Sequence, residues 1–446
     1  MIILDATDES IVAVLDSAPA STNPQFNAAY ADSSSTSITE AGSEGNLNGT
    51  TEVTLVSAPS SGYRRLVKSI SIYNGDTSAV IVTVKKKVSS NYYTLIKRAL
   101  YSGDTLYYSD RGGWSVIECN PGIEGLYRNI IINGDFKIWQ RGTSFTPSSG
   151  PLTYTADRFF LLRNTSNSLT VNYNANADVG DIFRPFGSMK ITSNGAETVD
   201  AGDRAIFGQY IEGHNFRRLV NKYGTLSFWV KSSVTGTYCI SFKNENSDRC
   251  YVAEYTINQA NTWEYKTITV YFDGTGTWNV TNGIGLRIEF CLVAGSDWRT
   301  TTVGSWFSGS KQASNNQVNF MSANGNIFEI TAIQLEIGQL ATKFENRDYG
   351  EEYFLCQRYY EYCLAWYIGS AVSGVNNGGT GQFRVPKRAA PTVTWDYCLS
   401  AVNFPTTSPS YYISATTTHF FPYKTANGTG QDSRWHDYFK VDAELY

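Results

Sequence analysis

Hydrophobic positions along this chain recur mainly with a period of two, and polar turn residues interrupt them about every ten residues. From Thr225 onward the runs TLSFWVKSS, TYCISFKN, YVAEYTI, WEYKTITVYF, GLRIEFCLV and IFEITAIQLEIG are separated by Gly, Asn, Asp and Ser. Many such strands without interleaved helices predict a two-sheet antiparallel sandwich or jelly roll. Upstream, NIIINGDFKIWQRGTSF (129–145) reads as a strand of three isoleucines, a turn and an aromatic strand. It opens a domain that extends over 129–345.

Nearer the N-terminus, VKSISIYNGDTSAVIVTVKKK reads as two alternating strands joined in a hairpin at Asn74-Gly75-Asp76, and LYSGDTLYYSDRGGWSVIE adds two more. The stretch ADSSSTSITEAGSEGNLNGTT is polar and rich in Gly and Ser, which predicts a long loop. Residues 1–120 thus form a small N-terminal sandwich, and CNPGIEGLYR, with two Gly and a Pro, places a linker at 121–128. One segment departs from strand periodicity. In DYGEEYFLCQRYYEYCLAW, Asp348 can cap a helix with Glu351 three residues later, and Tyr353, Cys356, Tyr360 and Cys363 share a face at 3-4-3 spacing. This predicts one short helix, its stripe serving as core or as a seam between subunits, ahead of a C-terminal sandwich within 346–446. The fold class is all-β, a string of antiparallel jelly-roll-like sandwiches.

Length and composition sharpen this picture. A chain of 446 residues exceeds what one core needs and divides into about two to four domains. Its 30 Tyr, 23 Phe and 10 Trp suit pleated surfaces. A net charge of −4 with no basic stripe argues against a nucleic-acid partner. The chain opens MIILDATDES, without a basic n-region, and holds no run of eighteen apolar residues, so no membrane insertion is expected and synthesis is placed in the cytoplasm. Seven cysteines without a CxxC pair read as buried free thiols. Charge is segregated: the first sixty residues carry acids and no Lys or Arg, and Arg64, Arg65, Lys68, Lys85, Lys86, Lys87, Lys97 and Arg98 crowd the next forty. Cross-strand pairing within one sandwich accounts for this, as would a docking face.

Catalytic parts are scarce. His214, His419 and His436 are the only histidines, and HExxH, GxSxG and GxxxxGK[ST] are absent, so the expectation is a non-enzyme without cofactor. Saccharide recognition asks instead for exposed rings among Asn, Asp, Gln or Arg. TGTWNVTNG and GSDWRTTTVGSWFSG put Trp278, Trp298 and Trp306 in or near polar loops, where a ring folded onto its own sandwich edge is the plain alternative. Of the last 101 residues, 21 are Phe, Tyr or Trp, an excess over the 14% of the whole chain that needs a use. SPSYYISATTTHFFPYK and QDSRWHDYF there supply Tyr411, Tyr412, His419, Trp435 and His436 as further glycan candidates, or as packing between subunits.

NIIINGDFKIWQRGTSF, YTADRFF and, about 200 residues later, QLEIGQLATKFENRDYGEEYFLCQRYY resemble the frame of a domain found in bacteriophage tail-fibre and virion proteins, related in shape to carbohydrate-binding jelly rolls. The likeness covers roughly 129–360. FRVPKRAAPTVTW and FKVDAELY are similar to the distal domain that often follows this frame, and FNAAYADSSSTSIT to DTLYYSDRGGWSVI resembles a small β-domain at the start of phage tail and baseplate proteins. The resemblance implies a tail fibre of the virion that attaches to a host surface glycan, or alternatively a non-receptor structural fibre, baseplate or head-decoration component. It also implies a homotrimer, with the stripe Tyr353, Cys356, Tyr360 and Cys363 among its contacts, and an N-terminal domain anchored to other tail or baseplate proteins. Related modules hold a calcium with an acid at the place of Asp135 and adjacent acids in a late strand. Here that strand reads Glu329-Ile330-Thr331-Ala332-Ile333, so half the pattern is missing and no metal is expected.

Overall fold

In a computed structural model, the chain is described over residues 2–117, 128–179, 184–339, 341–406 and 413–446. Antiparallel sheets dominate, and helix is confined to short segments, the longest being Tyr349–Gln357. The all-β class expected from the alternation is the observed one.

The N-terminal part is a two-sheet sandwich. One sheet runs Gly113–Ile117, Thr105–Ser109, Arg64–Tyr73, Gln25–Ser33, Ile38–Asn46, and the other Val53–Val56, Glu9–Leu15, Val80–Val88, Asn91–Leu100. Between them Ile11, Leu55, Val67, Ile70, Val82 and Leu106 form the core. The acid-base segregation resolves into pairs inside this sandwich. Arg65 forks onto Asp32 at 2.7 and 2.8 Å, while Lys86 meets Glu9 at 2.8 Å, Lys87 meets Glu52 at 2.8 Å and Lys97 meets Asp16 at 2.9 Å.

Two expectations fail here. Asn74-Gly75-Asp76 is not a hairpin turn, because Arg64–Tyr73 and Val80–Val88 lie in different sheets. Both polar side chains are buried at the crossover: Asn74 Nδ2 donates to the Leu100 and Ser78 carbonyls, and Asp76 accepts from the Ser21, Thr22 and Ser78 amides. The turn residues therefore staple a sheet-to-sheet corner. The Gly/Ser-rich stretch is no long loop either, since Ile38–Asn46 is a nine-residue strand paired to Gln25–Ser33. Its side chains are almost all exposed, so backbone pairing alone makes it a strand and composition carries no sign of it.

The linker expected at 121–128 lies, apart from Arg128, outside the described residues. Beyond it, a six-stranded sheet (Ser144–Phe145, Leu169–Asn174, Ser188–Ser193, Ile327–Ile337, Lys222–Ser232, Glu264–Phe272) packs on a seven-stranded one (Thr153–Tyr154, Phe159–Arg163, Arg204–Glu212, Ile284–Ala294, Gly236–Lys243, Cys250–Ile257, Trp306–Phe307). Phe207 and Phe290, stacked at 4.9 Å, and Phe228 lie at the centre of the core between them. The segment 129–143, expected to begin as a strand, is irregular and is buried over 129–138, with Asn133 and Phe136 at φ 63° and 55°. Asparagine side chains replace ladder bonds. Asn129 Nδ2 donates to the Ile333 carbonyl at 3.0 Å while its Oδ1 accepts from the Ile131 and Leu335 amides. The two distant motifs thus meet in space, and Gly134 is required there because a Cβ would fall 2.1 Å from the Ile333 carbonyl oxygen.

The C-terminal sandwich pairs Tyr360–Ala371, Gly430–Asp442 and Thr392–Val402 in one sheet, facing Asn376–Gly378, Gly381–Gln382, Ile413–Ala415 and His419–Thr425. The helix before it is shorter than the stripe requires. It stops at Gln357, and Tyr360 and Cys363 lie on the following strand. Cys356 packs with Ile132 and Ile138, with Tyr353 partly buried against them, so these four side chains serve this chain's own core and do not form an exposed helical face. Asp348 makes no side-chain cap bond; the Asp348 carbonyl instead accepts from the Glu352 amide.

Charged groups fasten this sandwich to the jelly roll. Arg358 forks onto Glu212 at 2.7 and 2.9 Å, and the Tyr359 hydroxyl donates to the same carboxylate at 2.7 Å. Burial alone would raise the Glu212 pKa, yet these bonds outweigh it and hold the carboxyl below its usual range. At the chain end, buried Glu444 pairs with Arg158 and lies 3.3 Å from Arg141.

Candidate carbohydrate-binding cleft

The outer face of the six-stranded sheet is polar in its middle and aromatic at both ends, with Tyr223 and Tyr271 at one and Trp229 and Tyr265 at the other. Along Lys222–Ser232 the alternation sends Leu226, Phe228 and Val230 inward and leaves Thr225, Ser227, Trp229 and Lys231 on the outer phase. Trp229 is thus a large ring on a polar face. It packs with Tyr265, at 5.3 Å between centroids, and with Val179, Ala332 and Trp263. Trp263 ends the loop 258–263, which turns through Asn261 at φ 58°, and Lys231 Nζ lies 4.9 Å from its ring centre.

Opposite these rings stand residues 17–20, Ser78, Ala79 and Ile81 of the N-terminal sandwich, and Tyr101 meets Tyr265 edge-on at 5.8 Å. The cleft enclosed is about 420 Å³, within the range of small-molecule sites. Its polar rim is Asn258, Gln259, Thr262, Glu264 and Lys266. Glu264 fixes that rim: it accepts from the Asn258 and Gln259 amides at 2.8 Å, from Asn258 Nδ2 at 3.0 Å and from Lys266 Nζ at 2.7 Å. Burial pushes its pKa up, but these bonds outweigh that and keep the carboxyl below its usual range. Trp229 itself is buried at 7% exposure and backs the partly exposed rings of Trp263 and Tyr265, which can stack on a pyranose while the polar side chains beside them bond its hydroxyls.

Most residues chosen from sequence lie elsewhere. Trp278 and Trp306 come together edge-to-face at 5.5 Å, with Tyr251 and Phe216 against them, at another edge of the jelly roll. Their indole N–H groups donate to the Thr275 and Tyr271 carbonyls. Trp298 sits apart, beneath the Arg204 guanidinium at 3.8 Å, and donates to the Gly202 carbonyl. All three are half-buried, folded onto edges of their own sandwich. His419 is half-buried against Phe421, and His436 is half-buried with Nδ1 2.8 Å from Ser400 Oγ. Tyr411 and Tyr412 lie outside the described residues.

Trp435 requires correction as a glycan contact. It is fully buried between the C-terminal sheets. Gly430–Asp442 is a central strand whose odd positions Ser433, Trp435, Asp437, Phe439 and Val441 face inward, so parity hides Trp435 and leaves His436 on the outer side. Sequence reasoning in turn passed over Trp229, Trp263 and Tyr265. NQANTWEY carries the same aromatic-in-polar signature as TGTWNVTNG, and a tryptophan in phase with Thr225 and Ser227 is legible in TLSFWVKSS.

No protein-family model matches the chain, and no curated protein matches it. Similar solved structures include the enzymatically active domain of bacteriophage CBA120 tailspike protein 4, at 15% identity and a TM-score of 0.25 over 48% of this chain and 22% of that one. The match therefore spans less than a quarter of the tailspike domain. Another is the family 11 carbohydrate-binding module of a Clostridium thermocellum cellulosomal cellulase, at 14% identity and a TM-score of 0.24, over 44% of this chain and 99% of the module. Discoidin II of Dictyostelium discoideum matches at 12% identity and a TM-score of 0.15, over 62% of this chain and 95% of that one.

Proposed function

We propose that the chain is a non-catalytic attachment protein of a bacteriophage tail that holds a host-surface glycan in the cleft between its N-terminal sandwich and its jelly roll. The observation that carries the glycan reading is the cleft itself, with Trp229, Trp263 and Tyr265 on one wall and a rim locked by Glu264. Hydrogen bonds alone give a saccharide little in water, since each replaces one to solvent. Aromatic faces change that balance by burying the apolar side of the sugar. Among the described residues, Glu264 is the one carboxylate in the lining, and it is already committed to four hydrogen bonds, which favours binding over hydrolysis. The placement on a tail rests on the sequence resemblance.

The test is calorimetric titration of the full chain with purified host surface polysaccharide. Trp263→Ala is expected to weaken binding roughly tenfold, or about 1.4 kcal/mol, with an unchanged melting temperature. Undiminished binding by this variant, together with loss in Trp306→Ala, would move the site to the Trp278 and Trp306 edge. Absence of any polysaccharide binding by a chain that is nonetheless incorporated into particles would leave the structural-component reading.

A further inference from the structure

A second cavity, of about 340 Å³, opens where the irregular segment 129–143 meets the short helices Gly213–Phe216 and Tyr349–Gln357. Its size is again that of a small-molecule site. Ile130, Ile132 and Leu355 give it an apolar wall, and His214, Asn215, Arg218 and Arg347 supply the polar part of the lining. Among the described residues, no carboxylate lines it. Arg347 is buried and braced: it donates to the Ile131 carbonyl at 3.1 Å and to the Asn129 carbonyl, and it pairs with Glu345 at 3.2 Å and Glu352 at 3.3 Å. The helix Gly213–Phe216 is fixed as well, because the Gly213 and His214 amides donate to the Gly283 and Thr281 carbonyls at 2.9 and 2.7 Å. Arg218, in the turn that follows, is exposed at the mouth. Burial and the neighbouring Arg347 charge push its pKa down, with Glu345 opposing them, so an anion in the cavity relieves a strained charge.

We propose that this cavity binds a small organic anion, a monosaccharide-sized carboxylate or phosphate ester, with the Arg218 guanidinium on the anionic group and the aliphatic wall against the carbon skeleton. A guanidinium forks onto either group through two parallel N–H bonds. The Arg347 charge is already met by two carboxylates, so it shapes the wall while Arg218 carries the recognition. The His214 ring and the Asn215 amide beside it can bond hydroxyls of the ligand. Both halves of the ligand are specified by the lining. A neutral sugar returns nothing for the desolvation of Arg218 and, among the described residues, meets no aromatic ring here. A bare inorganic anion leaves Ile130, Ile132 and Leu355 uncovered. The cavity shares no lining residue with the Trp263 cleft, and the inference is independent of the glycan reading.

The experiment is calorimetric titration of the full chain with sodium glucuronate and with glucose 6-phosphate, using glucose and inorganic phosphate as controls. At least one of the two organic anions should bind, more tightly than inorganic phosphate, and glucose should not. The tighter of the two identifies the anionic group as carboxylate or phosphate. Arg218→Gln should weaken that binding roughly tenfold or more with an unchanged melting temperature, and Trp263→Ala should leave it unaltered. Protection of Arg218 from phenylglyoxal by the bound anion, read by peptide mass, tests the same contact even if the variant fails to fold. Binding of neither organic anion, equal binding of glucose or of inorganic phosphate, undiminished binding by Arg218→Gln, loss of binding in Trp263→Ala, or an unprotected Arg218 would each overturn the inference.

Discussion

Replacing Glu444 with alanine exposes how the chain end holds the molecule together. The Arg158 side chain is 1% exposed and that of Glu444 is fully buried. Arg158 has two other partners, the Tyr210 carbonyl and the Tyr359 ring 3.6 Å from its guanidinium carbon. Arg141 also loses a carboxylate, though it keeps Asp442 at 3.6 Å. Removing one partner of a buried pair costs about 3–5 kcal/mol, and the retained carbonyl and ring offset roughly 1 kcal/mol of that. A net loss of ~2–4 kcal/mol corresponds to a fall of roughly 3–6 °C for a cooperative unit of this size, at about 2.1 cal/mol/K of unfolding entropy per residue. Differential scanning calorimetry of the full chain should show that fall in the transition of the jelly roll and C-terminal sandwich, with the N-terminal sandwich unmoved. Combining Arg158→Met with Glu444→Leu should recover much of the loss, because the desolvation cost disappears along with the attraction. A Glu444→Ala protein that melts within about 1 °C of wild type in every transition would refute the reasoning.

Two further outcomes follow from the same contacts. Glu212 has its folded pKa depressed by Arg358 and Tyr359, so its contribution is present above the unfolded value and is lost as pH falls through the folded one. Melting between pH 6 and pH 3 should show loss beginning near the unfolded value of about 4.3, and Glu212→Gln should flatten that limb; an unchanged limb would show that this site does not govern it. Trp435→Ala should lower the stability of the C-terminal sandwich by about 3–5 kcal/mol, read by urea unfolding, whereas a folded variant defective only in host adsorption would contradict its burial.

What the amino-acid sequence determined by itself is local. The alternation in TLSFWVKSS or YVAEYTI marks a strand because the two-residue period of side-chain direction belongs to the backbone of that segment alone. The all-β class and the strand runs from Thr225 onward were legible for that reason, whereas the charge segregation left pairing and a docking face open until the sheets placed Arg65 on Asp32 and Lys86 on Glu9. Tertiary structure decided whatever depends on which sheet a strand joins and on which side the core lies. NGD marks a turn in any context, but only the placement of Arg64–Tyr73 and Val80–Val88 in separate sheets makes it a corner. Ile38–Asn46 is a strand through hydrogen bonds to Gln25–Ser33, which leave no trace in its side chains. One residue of parity separates buried Trp435 from His436, and no local pattern announces which phase faces inward when both carry aromatics. The cleft is further still from the sequence, because Ala18, Ser78 and Trp263 meet only once two sandwiches have folded and docked. Side-chain type is written residue by residue, whereas burial is a property of neighbours that the chain acquires only on folding.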